Sequence, residues 1–302
     1  MTDFASDRRS GSTGVAAGFL DALARWAATD TTTRPEPFRA SLLEFLRAAQ
    51  ASQPSMALVH QFAWRALEVA DSGLRRGDTL PALRRSLELS CEAERGDFAT
   101  ARGALIRQAL GLLDTRGAWI ATLSASATVR DALLEAQREG REPRALVAES
   151  RPNLEGRTMA AELAAAGIPV WLVADAALPL LLSQARMVWL GADAVTEAGV
   201  LNKIGSFGVT LAAREHSVPV YALAPRRKFL SARNRALRIE EMPAAELWES
   251  PAPGVEPRNV YFESVPLPLL RGVVVEDGVL PPGEAAEVAR DRELPPELNT
   301  AG

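Results

Sequence analysis

Asp193, Asn202 and Lys203 fall within eleven positions of one another in the stretch WLGADAVTEAGVLNKIGSF, from Trp189 to Phe207. A carboxylate can transfer a proton, an amide can hold a hydroxyl and an ammonium can neutralise a phosphate. Their surroundings suggest where they sit. Met187 to Leu190 is an apolar run that reads as a buried strand, and Gly191-Ala192-Asp193 sets the carboxylate just past its end. Ala198-Gly199 marks a tight turn, Val200-Leu201 a short return segment and Gly205-Ser206 the start of a helix. In open α/β sheets, ligands bind at the carboxyl ends of strands, where helix N-termini also point. The combination suits a phosphorylated or polyhydroxylated ligand. The same spacing also fits a plain β-hairpin with a capping Asp193 and a solvated Lys203.

Positioning these groups requires a parallel sheet, and the rest of the chain supplies the pattern for one. Before Ala118 the apolar residues recur only at helical spacing. Val15, Phe19, Leu23 and Trp26 mark one helix, and Leu42, Leu43, Phe45 and Leu46 a second. A third starts at Gln53-Pro54-Ser55, and a fourth runs from about Leu80 to Leu113. From Ala118, short apolar runs alternate with amphipathic segments: strands near 118–123, 144–148, 168–174, 187–190 and 218–222, helices between them. The expected fold class is α/β, with an all-helical domain over 1–114 and a mostly parallel sheet covered by helices on both faces over 115–302. Right-handed crossovers put the loops after strands on one edge, which gathers Ser124, Glu149, Asp175, Asp193 and the 224–228 segment. After Lys228 the prolines multiply. Val260-Tyr261-Phe262 and Gly272 to Val275 offer further strands, and the acidic, proline-rich end from Pro281 is expected to fray.

The bulk properties narrow the function classes. Of 302 residues, 47% are hydrophobic and 24% charged, which gives enough apolar material for sizeable cores. A net charge of −4 gives no general attraction to nucleic acid or anionic membrane. The first residues lack an apolar signal core, and Cys91, the single cysteine, fits a reducing compartment, so a cytoplasmic protein is expected. His60 sits beside Val59 and Phe62 with no ligand partner at metal spacing and reads as structural. Cys91 lies among Glu88, Glu92 and Glu94, a poor setting for a reactive thiolate. No metal or cofactor is implied.

The segments ALVAESRPNLEGRTMAAELAAAGIPVWLVAD, GADAVTEAGVLNKIGSFGVTLAAREHSVPVYALAPRRKF and NVYFESVPLPLLRGVVVEDGVL, in this order, resemble the family of ribose-1,5-bisphosphate isomerases, methylthioribose-1-phosphate isomerases and the α, β and δ subunits of initiation factor 2B. The resemblance is strong from about Ile120 to Leu280. It implies an N-terminal helical domain and a Rossmann-like C-terminal domain, usually assembled as dimers or larger. It also implies a catalytic pair, the aspartate of GAD, here Asp193, and a cysteine in a Thr-His-Cys-Asn-Ser pattern. That pattern falls on Thr122-Leu123-Ser124-Ala125-Ser126, so Ser124 stands where the thiol would be. Asn202, Lys203 and Lys228 match positions lining the sugar-phosphate site, Ser126 a serine at a phosphate-holding helix N-terminus, and Glu149 and Arg151 the ESRP loop. Two cationic elements are altered. Gln53 replaces an arginine before Pro54, and an Arg-Gly-Ala element survives only as Arg9-Ser10-Gly11-Ser12.

The exchange of thiol for hydroxyl matters chemically. A thiol can be tuned to titrate near neutrality, whereas a serine hydroxyl needs an adjacent base. His216, at the far end of the helix begun at Ser206, would be about 15 Å away. Two readings follow. The protein is a non-catalytic sensor or scaffold that binds a phosphorylated sugar or nucleotide, or it is an aldose–ketose isomerase of a phosphorylated pentose using Asp193. Expected partners are a phosphorylated small molecule and further copies of the chain in a dimer or higher even oligomer. No membrane or nucleic acid is expected. The cations Arg226, Arg227, Lys228, Arg233, Arg235 and Arg238 are read as a solvated face or phosphate rim.

Overall fold

The computed structural model describes residues 3–7 and 10–300. Four helices come first: α1 Ser12–Thr29, α2 Pro35–Ser52, α3 Ala57–Arg76 and α4 Leu80–Leu110. The apolar stripes read from the sequence are their inward faces, with Val15, Phe19, Leu42, Leu46, Phe62, Leu83 and Leu87 in one shared core. Prolines at the starts of α2 and α4 occupy positions where no amide partner is lost. Gly77, left-handed at φ 76°, closes α3. The third helix begins at Ala57, not at Gln53, which leaves 53–56 as a turn beside the site described below.

The sheet elements are β1 Trp119–Leu123, β2 Arg144–Ala148, β3 Val170–Val173, β4 Met187–Leu190, β7 Val220–Leu223, β9 Gly272–Val275 and β10 Gly278–Leu280. Their order is β10-β9-β7-β4-β1-β2-β3, parallel throughout except for β10 at the edge. The connecting helices are α5 Ala127–Arg138, α6 Glu155–Ala165, α7 Leu178–Leu181 and α8 Ser206–Glu215. Strand order reverses between β1 and β4, so a crevice opens past their carboxyl ends. A second sheet follows β4: β5 Ala194–Val195 and β6 Val200–Lys203 form the expected hairpin, and β8 Phe262–Val265 joins β6 antiparallel. Helix α4 ties the two parts together. Its far end packs Leu105, Ala109 and Leu110 against Ile120, Leu133 and Trp189 of the sheet layer.

Two expectations change. The C-terminal end does not fray within the described residues. Pro282–Arg290 is helix α9, which buries Ala285 and Ala289, and Leu294 and Leu298 join the core of the helical part. The extended region after Lys228 begins its strand at Phe262, not Val260. Tyr261 and Phe262 are buried in the core of the helical part and Phe229 in the sheet core, while Ile239, Leu247, Trp248 and Val255 stay exposed. Among the described residues no helix is long and apolar enough to cross a membrane.

Candidate functional site

One cavity lies over the β1/β4 switch point. The sheet edge supplies Ser124 and Ser126 after β1, Gly191 and Asp193 after β4, Asn202 and Lys203 at the end of β6, and Lys228 after β7. The helical part supplies the other wall from the first turn of α1 and the 53–56 turn, and Tyr261 and Phe262 complete it.

Asp193 is buried and doubly anchored. Its N–H donates to Leu201 O (2.8 Å), and its carbonyl accepts from the Ala57 N–H (3.0 Å) at the start of α3. Burial pushes its carboxyl pKa up, while Lys228, Lys203 and a hydrogen bond with Ser12 hold it back. Lys228 is also buried, and its Nζ donates to Ser12 Oγ (2.7 Å) and Ala192 O (2.6 Å). Burial lowers its pKa to about 8, and Asp193 opposes that shift. The two directions agree, since desolvation of each group outweighs their mutual attraction.

This shift makes a pH-dependent stability prediction. The folded-state value lies below the ordinary 10.5, so between the two the unfolded chain binds more protons. The cost of burying the Lys228 charge is fully present below about pH 8 and disappears as pH rises toward 10.5. Urea midpoints should therefore gain with pH from 8 to about 9.5, before tyrosines of the unfolded chain ionise. Lys228→Met should lack that gain; an identical slope in the variant would assign it to another group.

Around the hairpin the contacts are specific. Gly205, at φ 99°, lets the chain turn from β6 into α8. Asn202 Nδ2 then donates to Ser206 Oγ (2.9 Å), and that hydroxyl donates to Lys203 O (2.5 Å). Lys203 Nζ pairs with Glu155 Oε1 at 2.6 Å, and both side chains are buried. Its ammonium also lies 4.6 Å from the Tyr261 ring centre and 5.3 Å from that of Phe262. Glu155 Oε2 is buried with no hydrogen-bond partner.

Ser124 follows β1 in a left-handed conformation, φ 62°, and its N–H donates to Ser150 Oγ (2.6 Å). Among the described residues its hydroxyl makes no hydrogen bond. Ser126 caps α5, with Oγ accepting from the Val129 N–H at 3.4 Å. Gly191 has to be glycine here, because a Cβ would sit 2.7 Å from Ser126 Cβ and Oγ.

The cavity thus gathers Ser124, Ser126, Asp193, Asn202, Lys203 and Lys228 but leaves out two residues expected there. Glu149 pairs with Arg157, and Arg151 is exposed, with its backbone N–H on Asp175. Gln53, in place of an arginine, donates Nε2 to Phe4 O and Asp7 O and so fastens the segment before α1. Arg9 lies outside the described residues. Four of the cations after β7 form ion pairs, Arg226 with Asp277, Arg227 with Glu94, Arg233 with Glu293 and Arg238 with Glu240. His60 bonds Gln50 and Pro54 O away from the cavity, with its pKa lowered by burial to about 4. Burial raises the Cys91 thiol to about 11. No group of three or more His, Cys, Asp or Glu is placed to hold a metal among the described residues.

One wall residue was not read from the sequence: Glu155 opens α6, six positions past Glu149, and a carboxylate at a helix start was its only signal. Ser12, the last residue of the altered Arg9-Ser10-Gly11-Ser12 element, opens α1.

The site is thus a crevice at the switch point of an α/β sheet, walled by a carboxylate, two lysines and the starts of helices from both parts of the chain. The chain belongs to the Initiation factor 2 subunit family, matched over residues 8–282. It is 39% identical over 157 residues to a methylthioribose-1-phosphate isomerase of Oleidesulfovibrio alaskensis, covering 47% of this chain and 43% of that protein. It is 34% identical over 174 residues to an eIF-2B subunit 2-like protein of Pyrococcus furiosus, covering 57% and 60%. The matched stretches span about half the length of these relatives. Its fold is that of the Pyrococcus horikoshii translation initiation factor eIF-2B, with TM-score 0.78, 24% identity and coverage of 92% and 94%. The 5-methylthioribose 1-phosphate isomerase of the same organism follows at 0.74, 22%, 94% and 84%.

Proposed function

We propose that this chain binds a phosphorylated sugar or nucleotide in the switch-point cavity without turning it over, and acts as a sensor or scaffold. The observation that carries this reading is Ser124, which stands at the strand end with a hydroxyl that forms no hydrogen bond to a base among the described residues. His60 and His216 are absent from the cavity wall. Asp193 is committed to Ser12 and to the charge of Lys228. Binding is nonetheless well provided for. The N-terminus of α5 at Ser126 and the Lys228 ammonium favour a phosphate. Glu155 Oε2 and Asn202 offer hydrogen bonds to sugar hydroxyls. The relatives named as isomerases favour a second reading, an aldose–ketose isomerase of a phosphorylated pentose in which Asp193 transfers the proton.

A thermal-shift screen with phosphorylated pentoses, methylthioribose-1-phosphate and nucleotide monophosphates tests the binding. A ligand at one hundred times its dissociation constant adds about 2.7 kcal/mol. Ser126→Asp keeps a good helix cap while placing negative charge where the phosphate would sit. The variant should melt as the parent does and lose the ligand shift. An undiminished shift would remove the phosphate from this position.

A further inference from the structure

The cavity wall has two unlike regions. Past β1 and β7, the start of α5 at Ser126 and the Lys228 ammonium favour a phosphate. Past β6 the character reverses. Lys203 is held there by Glu155 Oε1 at 2.6 Å and lies over the rings of Tyr261 and Phe262. The Glu155 side chain is only 9% exposed, and its second oxygen has no hydrogen-bond partner among the described residues. A buried carboxylate oxygen left without a donor is costly, so this position calls for a donor from outside the chain.

Charge says which donor. The bridge between Glu241 and Val260 sets Glu240 beside Tyr261 in the wall, and its partner Arg238, at 3.1 Å, is not a wall residue. Two carboxylates and two aromatic rings therefore stand around one ammonium. A second phosphate here would meet the Glu155 carboxylate, and Gln53 has its amide committed to Phe4 O and Asp7 O. A ligand ammonium would instead meet carboxylates and ring faces that attract cations. Glu155 also pushes the Asp193 carboxyl pKa up by repulsion, so both buried carboxylates border the interior that a cation would enter. We propose that the ligand is zwitterionic, an amino-bearing sugar monophosphate whose ammonium is bound by Glu155 with Glu240 beside it. This rests on the reading of the cavity as a phosphate-binding site and adds its selectivity: Glu155 accepts a protonated amine and turns a bisphosphate away.

Isothermal titration calorimetry with the 1- and 6-phosphates of glucose and glucosamine, and with glucose 1,6-bisphosphate, tests it. A glucosamine phosphate should bind at least about tenfold tighter than its glucose counterpart, the worth of a charge-assisted hydrogen bond, and the bisphosphate should bind weakest. Glu155→Gln keeps the size of the side chain and an acceptor for Lys203; it should abolish the preference for the amine and strengthen the bisphosphate. Glu240→Gln, at a partly exposed position, should reduce the preference in part. If Glu155→Gln does not fold, this variant and the wild-type ratio decide. Equal affinities within the matched pairs, or a preference for the bisphosphate, overturn the proposal. So does a wild type that binds pentose phosphates or nucleotides but neither glucosamine phosphate, which leaves the phosphate site standing. A wild type that binds none of these overturns the reading beneath it as well.

Discussion

Wild-type protein incubated with ribose-1,5-bisphosphate or methylthioribose-1-phosphate is expected to give no measurable isomer, and Ser124→Cys to give some. Isomerisation moves a proton between neighbouring atoms through groups whose pKa values lie near neutrality. Burial moves Asp193 in that direction by raising its carboxyl pKa. The other position holds a hydroxyl that is hydrogen-bonded to no base among the described residues. A correctly placed acid–base group contributes about 10²- to 10⁴-fold. Ser124→Cys should therefore raise turnover by at least about 10²-fold over the background, provided that the remaining wall fits the substrate. The left-handed backbone at Ser124 is fixed from outside by Ser150, so the substitution leaves it in place. Wild-type turnover that vanishes in Asp193→Asn would overturn the non-catalytic reading in favour of the isomerase. Turnover that survives Asp193→Asn would point to a contaminating enzyme.

Lys228→Met should be among the most destabilising single changes at the site. The ammonium is fully enclosed, bonded to Ser12 and Ala192 O and coupled to the Asp193 carboxylate. Removing it leaves that carboxylate buried with the Ser12 hydroxyl and the more distant charge of Lys203. Breaking a buried pair on one side costs about 3–5 kcal/mol. Because the surviving charge causes the loss, the double variant Lys228→Met/Asp193→Asn should recover a large part of it. Chemical-denaturation midpoints of the wild type, both single variants and the double variant close the cycle. A loss below about 1 kcal/mol in Lys228→Met, or additive losses in the double variant, would mean that the two groups are not coupled in the fold.

The relation between the two lysines bears on ligand choice. Lys203 is neutralised by Glu155, and Lys228 faces Asp193, so neither presents an isolated positive charge to the cavity. A phosphate bound here draws more on the N-terminus of α5 at Ser126 than on a lysine. That places the expected sensitivity at the cap, where the Ser126→Asp test is aimed.

The strands and helices around the site were legible because their signals are local. Apolar runs such as 187–190 and 220–223 are too short and too continuous for helices, and parallel crossovers force the loops that follow them onto one edge. That rule alone brings Ser124, Asp193 and Lys228 together from positions about a hundred residues apart. The hairpin carrying Asn202 and Lys203 was equally readable from Ala198-Gly199.

What the sequence by itself could not determine is which of the residues on that edge face inward. Glu149 and Arg151 share the edge with Asp193 but turn to Arg157 and Asp175, while Glu155, the first residue of the helix that follows the same loop, reaches Lys203. Ser12 meets Lys228 across 216 positions of chain because the helical part lies over the sheet edge. Tyr261 and Phe262 find cover under the same helices and Phe229 in the sheet core, and Leu294 and Leu298 draw the acidic tail into the helical core. Periodicity fixes the element and its buried stripe. The partner of each buried charge and each late apolar residue is set only when the helices and the sheet close on each other, because desolvation acts on the assembled surface and not along the chain.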